Sequence, residues 1–292
     1  MVNARGDQAE GLRRMLSFGR ARTIAVVAGT RGAGATSCVV NLAAAMTRQG
    51  RRVLAVDENH DNNICQSLGL RPRFDLRHAI EGECAPEEAV TQGPGGIAVL
   101  SAGGAVRTLQ RLGPQSEARA VRCFGELDDA ADIVLLDARN DAEEPSPFAA
   151  AAQEVILVVS PGATSITGGY TAMKRMCRTH ARMRFRLLVN RAQDDATARL
   201  IHTNMAQVAK KHLDVALEYL GAIPHDPAVL VAARRFSPVV DAAPTSAASR
   251  RYCEHADAML MWSAPQDDIS RHDTFMQRAI YGSRLQAAGA GV

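Results

Sequence analysis

Gly29, Gly32 and Gly34 run directly into Thr36 and Ser37, after the apolar stretch Thr23-Ile-Ala-Val-Val-Ala28. Clustered glycines let a backbone curl until its N–H groups converge, and a following helix adds positive potential at its N-terminus. This is the chemistry of a phosphate cradle, with Arg31, Ala33 and Ala35 as the intervening residues. The spacing Gly29-x-x-x-x-Gly34-Ala35-Thr36 follows the pattern G-x-x-x-x-G-K-[ST], except that alanine stands where lysine would contact phosphate. Thr36 keeps the hydroxyl that such loops place on Mg²⁺. Two acids follow, each closing an apolar run: Asp57 after Val53-Leu-Ala-Val56, and Asp137 after Ile133-Val-Leu-Leu136. Ligand chemistry in open α/β sheets gathers at the carboxyl ends of parallel strands, so both acids are candidates to act beside the phosphates. A solvated turn aspartate and an ordinary buried strand remain open for them.

The elements that must position these residues are strands alternating with helices of ten or more residues. That alternation predicts an α/β fold with a doubly wound, mostly parallel sheet. Strands are expected at Thr23–Ala28, Val53–Asp57, Ile97–Leu100, Asp132–Asp137, Glu154–Ser160, Phe185–Asn190 and Val215–Leu220. The divisions are an arm over residues 1–20, an α/β domain over 21–262 and a tail over 263–292. In the arm, Ala9, Leu12, Met15 and Leu16 recur at helical spacing behind Asp7, a plausible N-cap. This reads either as a helix packed on the domain or as one offered to a partner. In the tail, Phe275, Met276, Ala279 and Ile280 cover one arc of a helix over 270–286, edged by Arg271 and Arg278. It suits an anionic membrane surface or the chain's own domain equally.

The chain of 292 residues is long enough to bury a full core, and its net charge of +3 does not argue for nucleic acid. Six scattered cysteines without a C-x-x-C pair read as free thiols. The first residues carry no apolar signal-peptide core, and no run reaches the roughly 20 apolar residues of a membrane span, so a cytoplasmic protein is expected. The lysines are Lys174, Lys210 and Lys211 alone, so none lies near the loop to replace the missing one.

Two families compete for the loop. The glycines, with Asp57 about twenty residues on, fit a dinucleotide fold, and Tyr170-x-x-x-Lys174 resembles the catalytic pair of short-chain dehydrogenases. The Asn-Ala-Gly turn usual in that family is missing. More of the chain resembles the MinD/ParA class of P-loop ATPases. Gly32-Ala-Gly-Ala-Thr-Ser-Cys-Val-Val-Asn-Leu-Ala43 is similar to its K-G-G-V-G-K-T…N-L-A stretch, and Arg52-Val-Leu-Ala-Val-Asp57 to its second-strand motif. Within the class, three stretches resemble the flagellar-number regulators of the FlhG/FleN family. They are Asp7-Gln-Ala-Glu-Gly-Leu-Arg13, Pro161-Gly-Ala-Thr-Ser-Ile-Thr-Gly-Gly-Tyr170 and Tyr219-Leu-Gly-Ala-Ile-Pro-His-Asp226.

The resemblance implies ATP or ADP with Mg²⁺ in a cradle from Gly29 to Ser37, with Thr36 on the metal. It implies Asp57 and Asp137 serving the metal and its waters, and Asn190 facing adenine. It implies an ATP-driven homodimer held at the inner membrane by the tail, with Phe275, Met276, Ala279 and Ile280 as the membrane face. The arm residues Asp7, Gln8, Ala9, Leu12 and Arg13 would act on the GTPase FlhF, with flagellar basal-body or transcription-regulator proteins as further partners. Four departures count against full hydrolysis. The signature lysine is Thr30, the loop lysine is Ala35, the water-orienting aspartate is Asn59, and the switch segment D-T-G-A-G is Asp137-Ala-Arg-Asn-Asp141. Each cation removed from a phosphate site forfeits charge-assisted hydrogen bonds worth about 1.5–3 kcal/mol. Arg31 offers a positive charge, one position out of register.

Overall fold

A computed structural model describes residues 21–61, 63–139, 146–262 and 274–289. In chain order it contains strand β1 (Arg22–Ala28), helix α1 (Ala35–Arg48), β2 (Val53–Asp57) and the short helices α2 (Asn63–Ser67) and α3 (Leu76–Glu81). Next come β3 (Val90–Gln92), β4 (Ala98–Ser101), α4 (Gly103–Val106), α5 (Pro114–Asp129), β5 (Ile133–Asp137), α6 (Pro147–Ala151) and β6 (Glu154–Val159). The remainder is α7 (Ala163–His180), β7 (Arg184–Ala192), α8 (Asp195–Leu213), β8 (Ala216–Pro224), α9 (Pro227–Arg234), α10 (Val239–Ala242), α11 (Ala247–Leu260) and α12 (Phe275–Gly289).

The strands form one sheet in the order β3-β4-β2-β5-β1-β6-β7-β8. Every neighbouring pair is parallel except β3 with β4. The apolar runs are continuous because helices cover both faces. In β1, Ala25 and Val27 enter one core layer while Ile24, Val26 and Ala28 enter the other. The edge strand β3 was not expected; its Val90-Thr-Gln92 is too short to show a period.

The strand order excludes the dinucleotide reading. There, the strand after the glycine loop's helix lies beside the strand before the loop. Here β5 separates β1 from β2. Tyr170 is accounted for by packing: it lies on α7, partly buried against the core.

The tail helix is part of the body. Phe275, Met276, Ala279 and Ile280 are all 3% exposed or less. Phe275 stacks on Phe124 of α5 at 4.8 Å between ring centroids and tilts against Phe148 of α6 at 5.5 Å. Arg278 donates to the Ala151 carbonyl at 2.9 Å, and Arg284 pairs with Glu117 at 2.7 Å. Of the two readings left open for the tail, this conformation shows the helix docked on its own domain. The apolar arc fills a gap between α5 and α6 and is closed to a bilayer. Arg271 and the arm residues Asp7, Gln8, Ala9, Leu12 and Arg13 lie outside the described residues. Among the described residues no helix is long and apolar enough to cross a membrane.

Candidate functional site

The glycine loop joins β1 to α1 at the carboxyl edge of the sheet. Gly34 has φ +96°, and a Cβ there would lie 2.1 Å from the Asn190 amide, so only glycine fits. Gly34 is the N-cap of α1 and offers no side chain, leaving the first-turn N–H groups facing outward for an external acceptor. The loop is braced from two sides. Asn190 at the end of β7 donates from Nδ2 to the Ala33 carbonyl at 2.9 Å. On the other side, Gly168 of α7 lies so close that a Cβ would stand 1.9 Å from the Gly29 carbonyl.

Because β2 and β5 are neighbours in register, Asp57 lies directly across from Asp137. Thr36 Oγ1 donates to Asp137 Oδ2 at 2.6 Å. Asp57 is fully buried. Its Oδ1 accepts from the Asn59 N–H and its Oδ2 from the Ile64 N–H at 2.7 Å, which caps α2. Glu58 is buried as well, accepting from the Arg139 N–H at 3.0 Å. Burial, then the Asp57 charge, pushes the Asp137 carboxyl up to about 8. Burial also pushes Glu58 up to about 7 and raises Asp57. Thr36 Oγ1 and Asp137 Oδ2 are the oxygens that meet at the foot of the loop, and a hard divalent cation there would relieve the buried Asp137 charge, although no group of three or more acids among the described residues is arranged to hold a metal by itself.

Arg31 does not take the place of the missing loop lysine. Arg31 has 95% of its side-chain surface exposed and reaches Asp61 at 3.4 Å, a solvent-facing pair rather than a loop contact. Ala35 is buried in its place on the helix.

Residues 24–239 match the CobQ/CobB/MinD/ParA nucleotide binding domain. The chain belongs to this family. It is 33% identical over 271 residues to the antiactivator FleN of Pseudomonas aeruginosa, an alignment that covers 92% of this chain and 97% of the relative. The fold is similar to that of the MinD cell division protein of Aquifex aeolicus, with a TM-score of 0.64 and 21% identity over 85% of this chain and 100% of that one. It is also similar to MinD from Pyrococcus horikoshii, solved as a complex with Mg-ADP, with a TM-score of 0.60 and 22% identity over 82% of this chain and 96% of that one.

Within this MinD/ParA frame several of the expected residues converge. Thr36, Asp57 and Asp137 come together. The Asn190 amide, at the end of β7, holds the loop at Ala33, and its Oδ1 accepts from the Arg191 N–H. Asn59 donates from Nδ2 both to Asp57 Oδ1 at 3.2 Å and to the Asp137 carbonyl at 3.3 Å, joining the ends of two strands. The switch segment is described only as far as Arg139.

Sequence reasoning missed the second ring of supports. Asn41 of α1 donates to the Ser37 carbonyl at 2.8 Å and accepts from the Val239 N–H at 2.7 Å. Tyr252 of α11 is buried with its hydroxyl 3.8 Å from Cys38 Sγ. Burial pushes the Cys38 thiol up to about 12, so it is inert. The available signal was Asn41 itself, a polar residue inside an alanine-rich helix.

Proposed function

We propose that this chain is a regulator of flagellar number of the FleN type, built on a MinD-like nucleotide-binding fold whose hydrolysis is weak or lost. The observation that carries this reading is the similarity to the FleN antiactivator across nearly the whole of both chains. The similarity to Pyrococcus horikoshii MinD, a protein solved with Mg-ADP, supports Mg²⁺-bound adenine nucleotide as the ligand.

The residues present fit that ligand in part. The cradle from Gly29 to Ser37, with Arg31, Gly32, Ala33, Gly34, Ala35 and Thr36 along it, would hold the phosphates through backbone N–H groups. Thr36 would hold the metal with Asp137, and Asp57 would serve from behind. Mg²⁺ supplies the positive charge that neutralises phosphate oxygens. No lysine adds to it, because Thr30 and Ala35 replace both loop lysines. Transition-state stabilisation by such a cation is worth about a hundredfold or more in rate, so binding is retained better than turnover. The arm residues Asp7, Gln8, Ala9, Leu12 and Arg13 would act on a FlhF-type GTPase, and flagellar basal-body or transcription-regulator proteins would be further partners. Nucleotide would favour a homodimer. Membrane contact through Phe275, Met276, Ala279 and Ile280 requires α12 to leave its groove.

Isothermal titration with ATP, ADP and NADP in the presence of Mg²⁺, alongside phosphate release, tests the reading. ATP or ADP binding with turnover near background is expected. Tight ATP binding with robust turnover would favour instead an active switch using Arg31. A FlhF GTPase assay comparing Gln8→Ala with the unaltered chain tests the arm; equal stimulation would refute that role.

A further inference from the structure

The sheet end opposite the glycine loop holds a cavity of about 520 Å³, walled by Leu54, Val90, Leu127 and Ala131 with exposed Arg51 and Glu87 among its lining. It is more than a shallow surface dip, and nothing in the nucleotide chemistry uses it. Leu54, Leu127 and Ala131 belong to the same core layer as Ala21, the first described residue of the chain.

The chain arrives beside this cavity. The Arg22 N–H donates to the Asp132 carbonyl at 3.1 Å, and the Asp132 N–H donates to the carbonyl of Arg52, a residue of the cavity wall, at 2.8 Å. β1 and β2 are two strand spacings apart, about 10 Å. The sequence predicts an arm helix from Asp7 to Ser17, which leaves four residue steps to Ala21, a span of up to about 14 Å when extended. A helix ending there would bring its last turn within reach of the near wall of the cavity, whereas the nucleotide end of the sheet lies the seven residues of β1 away.

The arm also matches the cavity in character. Its Ala9, Leu12, Met15 and Leu16 share one helical face. Asp7 precedes that face, and Glu10, Arg13 and Arg14 fall between its members. The cavity offers an apolar floor with an exposed cation, Arg51, and an exposed anion, Glu87, at its margin.

We propose that the N-terminal arm docks within its own chain, seating Leu12, Met15 and Leu16 in the cavity lined by β2, β3, β4 and the end of α5. Docked, the arm buries the face that carries Ala9 and Leu12, so the cavity competes with any partner for the same residues. The docking does not depend on which partner the arm serves. It fails or stands separately from the FlhF reading.

Photo-crosslinking of the full-length chain tests it. With p-benzoylphenylalanine in place of Leu16, irradiation should link the arm, within one molecule, to residues 51–54 or 127–131. Arg51→Glu, a change at an exposed position that leaves the core untouched, should lower that yield at least threefold. Links only to other segments, only between two molecules, or absent altogether would overturn the proposal. In parallel, the double change Leu12→Asp with Leu16→Asp alters the arm alone. It should speed amide hydrogen exchange severalfold at Ala130 and Ala131, and unchanged exchange there would equally refute docking.

Discussion

Asn59 stands where an aspartate would orient a hydrolytic water in the family the chain resembles, and its surroundings explain why amide and acid are not interchangeable here. Its Nδ2 donates to Asp57 and to the Asp137 carbonyl. Asn59→Asp would remove both donations and set a further carboxylate beside buried acids that already repel one another. A loss of about 1–3 kcal/mol is expected, with no gain in ATP turnover. Urea unfolding at pH 7 would register it as a lower midpoint at unchanged slope. His255 gives a second residue-scale expectation. It is buried, its Nε2 lies 3.1 Å from the Ala222 carbonyl, and its ring packs against Gly221. Burial lowers its pKa below 6.5, so on acidification the unfolded chain takes up a proton before the native one does. Its contribution to stability is full above pH 6.5, falls as pH drops below that value, and levels off beneath the native pKa. Unfolding midpoints between pH 7.5 and 5 should fall more steeply for the natural chain than for His255→Gln; parallel curves would contradict the assignment.

At the scale of elements, the contact between α7 and the end of β1 decides where the loop sits. Gly168 presents no Cβ toward the Gly29 carbonyl, and Gly29 none toward the Ser165 carbonyl, so helix and loop touch backbone to backbone. Gly168→Ala must push them apart. Overpacking of this kind costs about 1–3 kcal/mol, and because the displaced atoms belong to the loop, nucleotide affinity should fall along with thermal stability. Gly125, inside α5, is the internal control. A Cβ there meets nothing within 4 Å. Gly125→Ala should raise stability by about 0.5–1 kcal/mol through helix propensity and leave nucleotide affinity alone. If both alanines behaved alike in calorimetry, the close approach of α7 would not be what holds the loop.

For the whole molecule, α12 ties the end of the chain to the sheet. Its Phe275 is sandwiched between α5 and α6, so the tail contributes to the same core as the sheet. Phe275→Ala should cost about 3–5 kcal/mol in a single cooperative unfolding transition. A tail that merely hung from the body would leave that transition where it was. Trp262, the one tryptophan of the chain, is a natural reporter. Arg186 lies 3.8 Å over its ring, in a cluster where Arg22 and Arg186 both pair with Glu154. Tail and sheet should answer to one equilibrium, and any membrane contact through α12 would draw on core stability.

The sequence by itself determined the alternation of strands and helices, the phosphate-binding loop with its missing lysine, and the acids at the strand ends. Those signals are local: glycine spacing, apolar runs and the residues that close them act within a few positions of one another. It also carried the family, through short motifs in their proper order. Tertiary structure alone decided the rest. Whether β5 enters between β1 and β2 depends on packing across more than a hundred residues, and that insertion sets Asp57 opposite Asp137 and excludes the dinucleotide fold. The apolar arc of α12 fits a bilayer and a protein groove equally well on paper. Only the gap between α5 and α6 chose between them here. Asn190 reads as a ligand residue at the end of a strand, and only the fold shows that its amide also reaches Ala33, distant in sequence. A side chain's type limits what it can bond to, but its partner is set by which segments the fold brings within about 3 Å.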